Sequence, residues 1–270
     1  MPYLRETAII LSSETTREQD AWVTVYGRTR GKMQALARGV RQNNAKQLGH
    51  LEPYQTAEVM IAKGREYDKL AVARVTVPRL SLRNTLPGLT LARACVDLTK
   101  ELSRPDEAQP DFFPMLDDAL ALAERLPDGT GALRVRFLIA CYGWQLLRTS
   151  GFVPPLDRCI RCQNPLNDQA GPEPNGEGWL CASCAVTERS ISFFPPMTTR
   201  LLAFAGSQPL SRVAGVTAPI AVLDAAATWM ASMFRHAPLA EEPAALRLAD
   251  AWLLPGSGPF IHRKTIPYPS

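Results

Sequence analysis

The sequence predicts an α+β protein, in which a five-stranded N-terminal barrel precedes a helical domain with an inserted four-cysteine segment. Three observations lead to this prediction. Residues 1–82 contain short apolar runs and runs that alternate with a period of two, as in β-strands. Beyond Pro87, apolar residues recur at spacings of three and four, as in helices. Two Cys-x-x-Cys pairs then interrupt the helical pattern within residues 153–192.

The strand pattern divides into five short runs. We expect strands at residues 7–13, 21–26, 32–40, 57–62 and 70–77. The sequence GRTRG forms a turn between the second and third runs, and KGREYD joins the last two as a hairpin. Five short antiparallel strands in residues 1–82 are typical of an OB-fold barrel, although an SH3-like barrel would give a similar pattern.

The helical pattern is clearest at residues 89–102, 112–126 and 133–149, and it returns at 196–205, 219–235 and 243–253. Gly151 lies where a left-handed helix cap is expected. We therefore predict a helical domain in two parts, residues 83–152 and 193–254. Residues 153–192 form the insertion between them, and residues 255–270 form a tail.

The two cysteine pairs have the spacing of a structural metal site. Cys159 and Cys162 form one pair, Cys181 and Cys184 form the other, and eighteen residues separate the pairs. Each pair presents two sulfurs from one tight turn, so that together they complete a tetrahedron around Zn²⁺. Four thiolates leave no open coordination position, which predicts a structural zinc ion that stabilises a segment poor in apolar residues.

Other uses of these cysteines are weaker hypotheses. Disulfides are disfavoured in the reducing cytosol, where we expect this chain because it lacks a signal peptide and an apolar run that would span a membrane. An iron–sulfur cluster also takes four thiolates. A redox Cys-x-x-Cys would need only one motif at a helix start. Cys95 and Cys141 lie among apolar neighbours and are interpreted as buried small hydrophobes.

Positive charge is concentrated in the predicted barrel. The chain has a formal net charge of +4, with net +6 in residues 1–83 and net −2 in the remainder. Residues 21–50 contain six basic side chains and no acidic one: Arg28, Arg30, Lys32, Arg38, Arg41 and Lys46. Such a patch attracts nucleic acid, although a solvated basic face with no partner would look the same.

Motifs of an enzyme are missing from the sequence. Gly27 to Lys32 is one residue short of a phosphate-binding GxxxxGK loop, and Met33 stands where Ser or Thr would meet magnesium. The three histidines, His50, His236 and His262, share no motif with one another or with a carboxylate. We therefore expect a protein without catalytic activity.

The order of basic barrel, helices, cysteine pairs and further helices resembles the RecO family of bacterial recombination mediators. The resemblance covers about residues 1–190 and lies in three stretches. They are AWVTVYGRTRGKMQALARGVR at residues 21–41, HLEPY at 50–54 and TSGFVPPLDRCIRC at 149–162. The third stretch is the most specific, because it combines a helix end, a glycine followed by an aromatic residue, prolines and the first cysteine pair.

The resemblance implies an OB-fold, a helical domain and a zinc-ribbon-like insertion. It also implies binding to single- and double-stranded DNA, annealing of complementary strands, and loading of RecA together with RecR. A further implied partner is the acidic C-terminal tail of single-strand-binding protein. A cytoplasmic, nucleoid-associated factor is expected, with no membrane partner. The alternative is a zinc-ribbon accessory factor of transcription or translation, which would bind nucleic acid without annealing it.

Particular residues can be assigned to these roles. The six basic side chains of residues 21–50 would contact phosphates without reading sequence. Trp22, Tyr26 or Tyr54 would stack on bases, with barrel core as the alternative, which we favour for Trp22. Arg134 and Arg136 would meet the acidic tail, although surface salt bridges explain them equally well.

Overall fold

The computed structural model describes most of the chain. The described residues are 3–16, 19–40, 48–153, 156–166, 170–173, 178–186, 194–195 and 197–236. The predicted tail, the predicted helix at 243–253, and the basic residues Arg41 and Lys46 lie outside them.

Five strands close into the predicted barrel. They are β1 (Tyr3–Thr15), β2 (Ala21–Gly27), β3 (Gly31–Ala37), β4 (Thr56–Ala62) and β5 (Lys69–Val77), in the spatial order β1-β2-β3-β5-β4. The neighbours pair antiparallel, except that β3 meets β5 in parallel at the single pair Leu36–Lys69. The long β1 pairs with both β2 and β4, and it thereby closes the barrel.

The period of two decides which side chains fill the barrel. Ala21, Val23 and Val25 of β2 point inward, and residues 33, 35 and 37 of β3 do the same. The strands β1, β4 and β5 supply most of the rest of this apolar core, and Val40 and Leu51 add to it from outside the strands. The intervening residues point outward, and their surroundings differ from one end of the barrel to the other.

The helical domain packs around a second core. Its helices are α1 (Leu86–Leu102), α2 (Phe112–Ala123), α3 (Ala132–Thr149), α5 (Thr198–Ser207), α6 (Leu210–Val213) and α7 (Ile220–Ser232). The insertion contributes the two-residue strands β6 (Gly171–Pro172) and β7 (Trp179–Leu180) and the short helix α4 (Ala182–Ala185). Three 3₁₀ turns, Leu48–His50, Leu80–Arg83 and Met233–His236, complete the described elements.

Helix α3 lies at the centre of this domain, and every residue from Val135 to Leu147 is buried. Gly151 follows its C-terminus with φ of 78°, which confirms the predicted left-handed cap. The fold class predicted from the sequence is therefore confirmed: a five-stranded barrel, a helical domain, and a cysteine cluster inserted between helices. In the described part of the chain, no helix has the length and apolar character needed to cross a membrane.

The barrel and the helical domain share a continuous interface. Outward-pointing Ile9, Leu11 and Tyr26 belong to the helical core, and the Tyr26 ring stacks on Phe112 with ring centroids 6.1 Å apart. Arg79, buried between the domains, binds carboxylate oxygens of Asp117 at 2.5 Å and Glu124 at 3.3 Å. These contacts fix the barrel against the helices.

Candidate nucleic-acid interface and metal centre

An aromatic and cationic cluster lies on the part of the barrel surface away from the helices. It consists of Trp22, Arg38, Tyr67 and Lys69. The rings of Trp22 and Tyr67 meet edge to face with centroids 5.8 Å apart. The Arg38 guanidinium donates to the Tyr67 hydroxyl at 2.7 Å, and the Lys69 ammonium lies 5.8 Å from the centre of the Tyr67 ring. We call these four residues the barrel cluster.

The strand register brings the barrel cluster together. Trp22 points outward from β2 and is paired with Leu36 of β3, and Leu36 in turn is paired with Lys69 at the start of β5. Arg38 follows the end of β3, and Tyr67 lies in the turn between β4 and β5. The face of strands 2 and 3 and the β4–β5 loop are the surfaces through which OB-folds bind oligonucleotides.

The structure distinguishes the three candidate stacking residues. Trp22 is half-buried and lies outside the barrel core, so the core interpretation that we favoured for it is wrong. Tyr26 is 1% exposed beneath Phe112, which makes it unavailable for stacking on bases. Tyr54 packs against the helical core, where burial raises the pKa of its hydroxyl.

The described members of the predicted basic patch do not share one site. Arg28 and Arg30 are exposed in the turn between β2 and β3, whereas Arg38 follows the far end of β3. A seven-residue strand places these ends roughly 20 Å apart. The described side chains predicted to bind phosphate therefore lie at both ends of β3.

Lys32 has a structural contact that the sequence did not predict. Its ammonium group donates to the carbonyl of Lys100, in the last turn of α1, at 2.6 Å. Burial, and then the nearby Lys100 ammonium, lower the pKa of Lys32. A cation at the C-terminus of a helix complements the helix dipole. Lys32 thus joins the barrel to the helical domain, and this use competes with its predicted role in phosphate binding.

Tyr67 was missed because the turn KGREYD has no period from which a facing side chain can be read, and Lys69 directly follows this turn as the first residue of β5. The available signal was composition, since Tyr67 stands near Lys63, Arg65 and Lys69 in the sequence. Interleaved aromatic and basic residues are typical of single-strand binding surfaces.

The four predicted metal ligands converge. The sulfur atoms of Cys159, Cys162, Cys181 and Cys184 all lie within 4.8 Å of one another. Tetrahedral zinc with sulfur 2.3 Å away requires sulfurs about 3.8 Å apart. The Cys162 and Cys181 sulfurs are 3.7 Å apart, so the spacing fits a four-thiolate zinc site.

Two tight turns present these sulfurs. The amide of Gln163 donates to the carbonyl of Cys159, and Gln163 has φ of 60°, which closes the first turn. The amides of Cys184 and Ala185 donate to the carbonyl of Cys181, which starts α4. Each turn therefore carries its pair of sulfurs on one side.

The pKa values of Cys159 and Cys184 are shifted in opposite directions. Burial alone would raise the pKa of Cys159, but backbone hydrogen bonds at Cys162, Cys181 and Arg161 outweigh it and lower this pKa to about 6. For Cys184, burial and then hydrogen bonds with the other three cysteines raise the pKa to about 12. A metal ion bound by the four sulfurs would favour their thiolate forms.

Trp179 anchors the cysteine-bearing segment to the helical domain. It is fully buried and packs edge to face on Trp229 of α7, with ring centroids 4.8 Å apart, and Trp229 packs in the same way on Trp144 of α3. Trp179 precedes Cys181 by two residues. The cysteine cluster and the helical core are therefore directly connected through one short strand, β7.

Arg134 and Arg136 are engaged inside the helical domain. The Arg136 guanidinium donates to Asp224 at 2.6 Å and to Thr228 at 3.0 Å, and its side chain is 8% exposed. Arg134 donates to the carbonyl of Ala214 and lies over the Phe137 ring. Both residues tie α3 to neighbouring elements, so their geometry does not support the predicted contact with an acidic tail.

Two family models match the chain. The model described as "Recombination protein O N terminal" matches residues 1–79, and the model described as "Recombination protein O C terminal" matches residues 83–231. The boundary between the two matches lies in the Leu80–Arg83 turn, where the barrel ends and the helices begin.

Curated relatives with similar sequences carry one name. The DNA repair protein RecO of Anaeromyxobacter dehalogenans (strain 2CP-C) is 30% identical over 226 residues, covering 80% of this chain and 87% of that protein. The DNA repair protein RecO of Desulforamulus reducens is 30% identical over 196 residues, covering 72% and 74%. That of Cutibacterium acnes is 30% identical over 188 residues, covering 68% and 75%.

Proposed function

The chain belongs to the recombination protein O family, and on that premise we propose that its barrel binds single- and double-stranded DNA and anneals complementary strands. The observation that carries the proposal is the barrel cluster. Trp22 and Tyr67 offer stacking surfaces for bases, and Arg38 and Lys69 lie beside them to neutralise phosphates.

Annealing requires no catalytic residue. Two strands must have part of their charge neutralised on a surface that holds bases loosely enough to exchange partners. We propose that this activity serves homologous recombination in the cytoplasm, at the nucleoid, where the protein helps RecR to load RecA. In this proposal the acidic tail of single-strand-binding protein recruits it to DNA.

We also propose that the four cysteines hold a structural Zn²⁺. The short sulfur–sulfur distance supports this, and so does the small apolar core of the segment, which consists of Cys159, Leu180 and Ala185 among the described residues. The metal would stabilise the two turns. Trp179, packed on Trp229, would then hold the segment against the helical domain. The contacts of Trp179 with Trp229, and of Trp229 with Trp144, hold the insertion beside α3 and α7.

Strand annealing tests the proposal directly. Complementary fluorescent oligonucleotides would be precoated with the cognate single-strand-binding protein and mixed with the wild type or with Arg38→Glu/Lys69→Glu. We expect rapid annealing by the wild type and at least a tenfold slower rate with the double variant. The control Arg104→Glu/Arg125→Glu makes the same charge change at exposed positions outside the barrel cluster, and its rate should stay within twofold.

One result would overturn the proposal. If the wild type binds the oligonucleotides but never accelerates annealing, the mediator function is wrong. Selective RNA binding in the same assay would then favour an accessory factor of transcription or translation.

A further inference from the structure

The connection between α1 and α2, residues 103–111, crosses the edge of β3 that faces away from β2. Pro105 pairs with Lys32 in a parallel bridge, and the amide of Asp106 donates to the carbonyl of Lys32 at 2.9 Å. On this edge, β3 meets β5 at a single residue pair. We call residues 103–111 the strap, because they lie on a part of β3 that β5 leaves unpaired.

Further contacts hold the strap on the barrel. The Tyr26 hydroxyl donates to the carbonyl of Gln109 at 3.2 Å and accepts from the amide of the same residue at 3.2 Å. The backbone of Glu107 lies so close to Gly31 that a Cβ atom there would be 2.1 Å from its carbonyl oxygen. The strap is therefore fixed through its backbone, and its side chains are held at defined positions on the barrel.

The strap places a carboxylate against basic residues of the barrel. Asp106 lies 3.7 Å from the ammonium group of Lys63, which begins the β4–β5 loop and also binds Asp68 at 2.7 Å. The hydrogen bond with Asp68 raises the pKa of Lys63, Asp106 raises it further, and the positive charge of nearby Arg30 opposes the rise. Two cations and two carboxylates thus meet here, and together they carry no net charge.

This group of charges lies between the two basic positions of the barrel. Lys63 shares the β4–β5 loop with Tyr67 of the barrel cluster, and Arg30 lies in the β2–β3 turn at the other end of β3. A nucleic-acid strand that continued from the barrel cluster toward Arg30 would pass Lys63. Asp106 at this point repels phosphate and occupies a cation that would otherwise neutralise it.

We infer that Asp106 limits the affinity of the barrel for DNA by occupying Lys63, and thereby keeps bound strands able to exchange. The inference rests on the proposed binding of DNA at the barrel cluster. An ammonium group has three donors, and Asp68 takes one of those of Lys63. The remaining donors would meet a phosphate once the charge of Asp106 is removed.

The contact between Asp106 and Lys63 can be removed without loss of the fold. The two side chains are 62% and 36% exposed, and exposed ion pairs contribute little to stability. Asp106 has φ of 55°, a left-handed conformation that asparagine also tolerates. The other described ion pair of the strap joins Arg104 to Glu107 at 3.8 Å, within the strap itself. Asp106→Asn therefore changes one charge and keeps the strap in place.

Binding of a labelled single-stranded oligonucleotide to the full-length protein, measured by fluorescence anisotropy at several salt concentrations, tests this inference. Near 0.1 M salt, we expect Asp106→Asn to bind about threefold to tenfold more tightly than the wild type. The slope of log affinity against log salt should steepen by about 0.7, the value of one added phosphate contact. In a Lys63→Gln background, Asp106→Asn should change the affinity less than twofold, because the cation is missing.

Glu58→Gln is the matched control, because it removes an exposed carboxylate of β4 that lies roughly 17 Å from Lys63 along the strand. Its affinity should stay within twofold of the wild type, since charges this far apart are screened at 0.1 M salt. An equal gain in Glu58→Gln, or a gain from Asp106→Asn that survives in the Lys63→Gln background, would attribute the effect to net charge and overturn the inference.

Two further outcomes separate this inference from the proposed function. Wild-type affinity in Asp106→Asn overturns the inference and leaves the proposed DNA binding intact. A wild type that binds no oligonucleotide at any salt concentration overturns both.

Discussion

The barrel and the cysteine-bearing segment are stabilised in different ways. The barrel closes around apolar side chains from all five strands, so burial of its own residues stabilises it. In the described part of the segment, the local core has Cys159, Leu180 and Ala185 as its buried members, and two of its three secondary-structure elements are two-residue strands. One chain thus uses hydrophobic closure where it has apolar residues and a cluster of thiols where it lacks them.

The two regions also have different proposed roles: the barrel binds DNA, and the cysteine-bearing segment binds the metal. The barrel cluster lies on the barrel, which its own apolar core stabilises. The segment contacts the helical core through Trp179. If this division is correct, disruption of the metal site should leave DNA binding by the barrel largely intact.

The largest expected effect comes from the buried ligand, so Cys159→Ser should abolish zinc binding. A structural zinc contributes on the order of 10–16 kcal/mol to folding of its segment, and three remaining thiolates cannot complete the tetrahedron. We expect less than a tenth of an equivalent of zinc by metal analysis and a red shift of tryptophan emission. DNA affinity should stay within about twofold.

The matched control is Cys141→Ala, which removes a buried thiol outside the metal cluster. It should keep one equivalent of zinc. Full zinc content in Cys159→Ser would contradict the four-thiolate assignment, and loss of DNA binding would contradict the independence of barrel and segment.

A smaller effect is expected when the segment is detached without touching the ligands. Trp179→Ala removes a fully buried indole from its contacts with Trp229 and Phe194, and a change of this size costs about 3–5 kcal/mol. The urea midpoint of the helical signal in circular dichroism should therefore fall, while zinc content stays near one equivalent. Zinc loss in Trp179→Ala would show that docking and metal binding cannot be separated.

On the barrel side, the comparable connection to the helical domain is a close backbone contact. Gly31 has φ of 70°, and a Cβ atom there would lie 2.1 Å from the carbonyl oxygen of Glu107. Gly31→Ala should cost about 2 kcal/mol, which corresponds to a fall of about 4–8 °C in Tm for a chain of this size. Gly129→Ala is the matched control, because a Cβ there meets nothing within 4 Å. Equal Tm values for the two variants would refute the close contact.

The sequence predicted those parts of the molecule that have a period or a fixed spacing. Short apolar and alternating runs identified the five strands, the recurrence of apolar residues identified α1 to α3, and the cysteine spacing identified the four converging sulfurs. Each of these signals is local, since the residues that cause it are neighbours along one element or one turn.

What covers an outward-facing residue is not a local property. Trp22 and Tyr26 have the same phase on β2, but α2 covers Tyr26 whereas Trp22 stays half-exposed. Lys32 and Arg38 belong to the same basic run, yet the end of α1 meets only Lys32. From the sequence, Arg136 is interpreted as a surface charge. In the structure it forms an ion pair with Asp224 of α7. The sequence could not predict these differences, because they arise from tertiary packing.

The smallest expected effect distinguishes Lys32 from Arg38. It compares the two ends of β3 within the barrel. Each phosphate contact contributes about 0.7 to the slope of log affinity against log salt for single strands. Arg38→Gln should reduce that slope by about 0.7 and weaken binding less than about tenfold. Lys32→Gln should leave the slope unchanged and lower Tm instead, because its ammonium group is bonded to the Lys100 carbonyl. Titrations of a labelled oligonucleotide at several salt concentrations measure both slopes. If the Lys32 variant loses the slope and the Arg38 variant keeps it, DNA follows the helix-facing end of β3 and not the barrel cluster.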